Sequence, residues 1–176
     1  NHSGNTGGKS VWWTWTAPSS GIATIVTAGS SFDTLLAVYT GIVVSSLPPV
    51  AQNDDDPRGG GVTSHVTFAA VAGTTYQIAV DGFSTDTGLI TLNLSFAPAN
   101  DNFVNRINVG SIISGTWTGS NLGATGETGE PLQSGAINSS WWAWTAPADG
   151  VVTIDTNGSG LDTYLLLATG ASVGSL

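Results

Sequence analysis

Residues 12–41 read WWTWTAPSSGIATIVTAGSSFDTLLAVYTG, and residues 141–170 read WWAWTAPADGVVTIDTNGSGLDTYLLLATG. The two stretches align without a gap at an offset of 129, and extended to Leu47 and Leu176 they share 20 of 36 positions. Self-similarity at a fixed spacing signals repeated units. A spacing of 129 is too long for one propeller blade or solenoid coil, so each repeat is expected to be a domain. The register predicts a first repeat over 1–98 that lacks its N-terminal segment. A second repeat is predicted over 99–176, lacking its C-terminal half. Ala97-Pro98-Ala99-Asn100-Asp101 is the punctuation expected at a boundary.

Outward from these stretches, apolar residues recur with period two rather than 3.6. Ile90, Leu92, Leu94 and Phe96 alternate with Thr91, Asn93 and Ser95; Tyr76, Ile78 and Val80 alternate with Gln77 and Ala79. Strands are predicted at 11–16, 21–28, 34–40, 62–69, 74–81, 88–96, 111–118, 139–145, 150–156 and 163–169, separated by turns such as Ala17-Pro18-Ser19-Ser20-Gly21. Many short strands with Gly-rich turns and no significant helix define an all-β chain of antiparallel β-sandwich or jelly-roll repeats.

Composition narrows the function. Charged residues are 9 % of the chain against roughly 25 % in an average domain, and the net charge is −9. Lys9, Arg58 and Arg106 are the only fixed cations, too few for a nucleic-acid interface or for docking on an anionic membrane. No stretch has the ~18 apolar residues of a membrane span. With no cysteine there is no disulfide or thiol chemistry. His2 and His65 are the only imidazoles, neither recurs in the second repeat, and no G-x-S-x-G elbow is present. The chain is therefore expected not to be an enzyme.

Two residue sets could bind something. The first is acidic. Asp33 and its repeat Asp162 stand in the motif [FL]-D-T; Glu127 and Glu130 lie in a GETGEP loop; Asn53, Asp54, Asp55 and Asp56 form the densest acidic run. Carboxylates suit hard cations such as calcium, whereas isolated Asp residues in turns also cap main-chain N–H groups. The second set is aromatic. Strand alternation sends Trp13 and Trp15 to one face and Trp12 to the other, with Trp141, Trp142 and Trp144 repeating the pattern. One face must be core; the other would pack on a neighbouring domain or stack on a ligand.

The run SVWWTWTAP, then G-x-x-T-I-x-T, FDTLLAVYTG, AQNDDD, SHVTFAAVAGTTYQIAVDGF and GLITLNLSF resembles the bacterial pre-peptidase C-terminal domain. NDNFVNRINVGSIISGTWTGSNLGATGETGEP resembles the opening of the same unit. The resemblance implies a β-sandwich of secreted or cell-surface bacterial proteins, found beside proteases or in tandem arrays, with relatives that bind calcium, collagen or polysaccharide. It implies a calcium site from Glu127, Glu130 and Asp162, with Asp33 its first-repeat counterpart. The expected function is a non-catalytic structural or adhesive repeat, assembling head-to-tail into an extracellular filament or stalk through neighbouring repeats or copies of itself. The alternative is an accessory module of an exported hydrolase that binds polysaccharide or extracellular matrix such as collagen.

Overall fold

The computed structural model describes residues 2–58, 61–131 and 138–176. The chain divides into two compact units, Asn1–Ala97 and Pro98–Leu176. Its regular structure is almost all strand. Among the described residues the helical segments are single 3-10 turns, and no helix is long and apolar enough to cross a membrane.

The first unit is a β-sandwich. β1 (Val11–Thr16), β6 (Thr75–Gly82), β3 (Thr34–Tyr39) and β4 (Pro49–Asn53) form one antiparallel sheet in the order β1-β6-β3-β4. β5 (His65–Ala70), β2 (Gly21–Val26) and β7 (Asn93–Pro98) form the other, in the order β5-β2-β7. The alternation read from the sequence decides the facing. Ala23 and Ile25 of β2, Val66, Phe68 and Ala70 of β5, Leu36 and Val38 of β3, and Tyr76, Ile78 and Val80 of β6 meet in one core. Trp13 and Trp15 pack against it from β1, Trp15 stacking on Tyr76 with ring centroids 5.7 Å apart.

Consecutive strands β2 and β3 lie in opposite sheets, joined at their shared end by a buried knot of hydroxyls. Thr27 and Thr34 share a hydrogen bond of 2.7 Å. Ser64 donates its main-chain N–H to both threonine hydroxyls and its own hydroxyl to the carbonyl of Thr34. Each of these groups is buried, so closing the network removes a desolvation penalty of about 1–3 kcal/mol per group left unpaired.

The sequence reading differs from the fold at several places. β4 falls in a stretch expected as loop, because Pro48 precedes it, Pro49 begins it and an acidic run follows. Pro49 is tolerated because it opens a strand at the sheet edge. The strand expected over 88–96 is regular only from Asn93; before it, main-chain and serine hydroxyl bonds from Ser30 and Ser31 hold Leu89 and Thr91. In the second unit the strand expected at 111–118 is replaced by β8 (Ile107–Gly110), which pairs in parallel with β9 (Trp142–Trp144).

The segments 150–156 and 163–169 form no strand. They nonetheless copy the geometry of β2–β3 at the offset of 129. Thr156 and Thr163 share a 2.6 Å hydrogen bond, as Thr27 and Thr34 do. Ser159 N–H donates to Thr156 O at 3.1 Å, as Ser30 N–H does to Thr27 O at 3.0 Å. Gly29 and Gly158 both turn through φ above +90°, a conformation open to glycine at little cost. Single 3-10 turns at Val44–Ser46 and Val173–Ser175 fall at equivalent positions. The missing strands follow from topology: β2 and β3 never pair with each other, so their copies have no ladder partner between them.

Candidate metal centre

Three carboxylates converge at one end of the first sandwich. Asp33 stands immediately before β3, while Asp54 and Asp55 follow β4, the neighbour of β3 in the sheet. That pairing is in register, Leu36 opposite Asn53, so the end of β4 is carried back to the start of β3. One oxygen from each of Asp33, Asp54 and Asp55 lies within 4.8 Å of the others. Two oxygens bound to one calcium at 2.3–2.6 Å can stand at most about 5 Å apart, so the spacing fits.

Hydrogen bonding favours the same reading. Oδ1 of Asp33 and Oδ1 of Asp54 are enclosed yet have no hydrogen-bond partner among the described residues. The other oxygen of Asp54 accepts from Asn5 Nδ2 at 3.1 Å. Burial, then the charges of Asp54, Asp55 and Asp86, push the Asp33 carboxyl above its ordinary value. Burial and Asp55 do the same to Asp54, against the Asn5 hydrogen bond. A site that disfavours its own negative charge is one a cation would relieve. The rest of the run is occupied elsewhere. Asp56 accepts from the main chain and guanidinium of Arg58 and lies below the ordinary carboxylate range. Asn53 accepts the main-chain N–H of His65 at 2.9 Å.

The expected second-unit carboxylates lie differently. Glu127 accepts the N–H of Phe103 at 2.8 Å. Glu130 accepts from Ser139 and from the indole of Trp141, leaving its second oxygen enclosed without a partner among the described residues. Asp162 is exposed. Among the described residues, Glu127, Glu130 and Asp162 form no group able to hold one ion, whereas Asp33, Asp54 and Asp55 do. Sequence spacing cannot reveal that convergence, since it depends on the unread strand β4.

The tryptophans separate as alternation requires. Trp12 lies on the sheet face opposite Trp13 and Trp15, against His2 and Tyr39 at 5.5 and 5.9 Å. Its counterpart Trp141 meets Phe103 edge-on at 5.2 Å, and Trp144 donates to Ile112 O at 2.9 Å. Trp142 keeps an exposed ring. The N-terminal segment was not read as structural, yet it covers this outer face. His2 is buried and bonds Tyr39 through Nδ1 at 2.8 Å. Asp81 accepts the N–H groups of Gly8, Lys9 and Gly82. Gly7 permits this approach, since a Cβ there would lie 1.9 Å from Asp81 Oδ2.

These features define an all-β chain with one complete sandwich and an acidic cluster at its end. The chain matches no family model, no curated protein and no solved structure.

Proposed function

We propose that this chain is a non-catalytic structural or adhesive segment of a secreted or surface bacterial protein, built from sandwich repeats in series. The observation that carries the reading is the return of the same loop and hydroxyl geometry at an offset of 129, in a sequence repeated at that offset. The low content of charged residues and the resemblance to the pre-peptidase C-terminal domain support it. Asp33, Asp54 and Asp55 would hold a calcium ion, which would supply charge neutralisation and tie the start of β3 to the end of β4.

The test is a series of chains carrying one, two, three and four copies of the 129-residue period, followed by small-angle scattering. A stalk predicts that the maximum dimension rises by a constant increment per copy. Collapse to a compact particle would remove the reading. Retention on insoluble polysaccharide or on collagen, lost on Trp12→Ala, would instead favour an accessory binding module.

A further inference from the structure

The copied arch of the second unit, residues 150–168, differs from its original, β2 to β3, in what lies against it. In the first unit β2 sits between β5 and β7, and β3 sits between β6 and β4. Every covering strand therefore comes from the segment 48–98. Ala23, Ile25, Leu36 and Val38 are each 0 % exposed beneath them, whereas their counterparts Val152, Ile154, Leu165 and Leu167 are 46, 43, 48 and 68 % exposed.

The edge of the Trp strand gives the same answer by parity. In the first unit Ala17 exchanges main-chain bonds with Gly73 and Thr74, so Trp13 and Trp15, four and two residues back, point their N–H and C=O toward β6. In the second unit Trp141 O accepts from Ile107 and Thr145 N–H donates to Gly110 O, so the odd residues of β9 face β8. Trp142 and Trp144, the counterparts of Trp13 and Trp15, then face the opposite edge. The sheet holding β9 has two strands, and no described strand lies on that edge.

We propose that residues 142–167 form a docking face for an additional copy of the segment 48–98, seated as β4 to β7 are seated in the first unit. The proposal rests on the modular reading above and names what completes the second module. Three features select this occupant. The open strand edge needs alternating N–H and C=O partners, which a β6-like strand supplies and a helix or sugar does not. The Thr156–Thr163 pair is set for a serine placed as Ser64 is placed on Thr27 and Thr34. The apolar row Ile154, Leu165 and Leu167 stands where Val66, Phe68, Ile78 and Val80 would cover it. A whole second chain is disfavoured, because its own 48–98 segment already fills its first core and would have to leave it.

Leu176 corresponds to Leu47, so a second copy of 48–98 fused after Leu176 continues in the first unit's register. In this extended chain, amides of 151–155 and 164–168 should exchange at least about 100-fold more slowly than in the original. Val66→Asp with Ile78→Asp, made in the added copy alone, should abolish that protection. The same segment supplied as a separate peptide should change tryptophan emission, and Leu165→Asp should prevent the change. The proposal falls if neither format gives protection or an emission change. It also falls if the original chain at micromolar concentration already protects these amides and sediments as a dimer, which would make the occupant a second copy. Neither failure touches the scattering series, which uses whole periods whatever covers this face.

Discussion

Leu36 and Leu165 follow the same turn, the same threonine pair and the same Asp-Thr step, yet one is fully buried and the other is half exposed. The arches 21–39 and 150–168 thus share local structure without sharing tertiary structure. Turn geometry is written in a few adjacent residues. Strand identity is not, since a strand exists only where another supplies the ladder, and here Val26 pairs with His65 and Leu36 with Val80, far downstream in the first unit.

The largest expected difference between the two arches is therefore in stability. Leu36→Ala empties a site enclosed by both sheets and should lower unfolding free energy by about 2–5 kcal/mol. Leu165→Ala removes a side chain already half in water and should change it by no more than about 0.5 kcal/mol. Urea titrations followed by tryptophan fluorescence measure both. Similar losses would mean that the second arch is covered in solution.

The next effect tests the N-terminal strap, which Asp81 holds in the first unit. Asp81→Ala deprives three main-chain N–H groups of their acceptor and should cost about 1–3 kcal/mol. Limited proteolysis should then cleave within residues 2–9 before any other site. Gly7→Ala should act in the same direction by driving a methyl group into the same carboxylate. If both variants keep the strap protected, Asp81 does not anchor it.

How much of this was legible depended on range. The face assignments of Trp12, Trp13 and Trp15 needed only alternation, and β1, β2, β3, β5 and β6 needed only short apolar runs between turns, period-two in β5 and β6 and continuous in β3. β4 was hidden because its residues, Pro49 to Asn53, have neither an apolar alternation nor strong strand formers beyond Val50. With β4 unread, Asp33 and the Asp54–Asp55 pair stayed two separate signals, and the motif carried by the resemblance drew attention to Glu127 and Glu130 instead. Those two glutamates fix their own unit through Phe103, Ser139 and Trp141. The part His2 plays was illegible for a different reason: a lone histidine before the first strand has no periodic context to place it.

Calcium should divide the two units at their equivalent aspartates. With the ion at tenfold its dissociation constant, the original chain should gain about 1.4 kcal/mol of stability over the chelated one. Asp33→Asn should remove most of that gain and Asp162→Asn none, measured as the shift in thermal midpoint on adding calcium. A gain lost with Asp162 and kept without Asp33 would reverse the assignment of the site.

The smallest effect is in pH, and its sign separates the strap from the acidic cluster. Burial holds the His2 imidazole below its ordinary 6.5, with Asp81 opposing. As pH falls past 6.5 the unfolded chain takes up the proton first, so stability is fully present above that value and declines below it. Asp33 and Asp54 are raised above 3.8, which gives the opposite slope: the folded chain binds protons first, and their mutual penalty is relieved as pH drops through the raised values. In chelator, His2→Gln should flatten the decline just below 6.5, and Asp33→Asn should flatten the gain at lower pH. Calcium should invert the second slope, because a bound ion favours the charged carboxylates and protonation then displaces it. Urea midpoints collected from pH 7 to pH 4, with and without calcium, resolve both. Identical profiles for the original chain and Asp33→Asn in chelator would show that the three carboxylates do not share one field, and the candidate metal centre would lose its electrostatic basis.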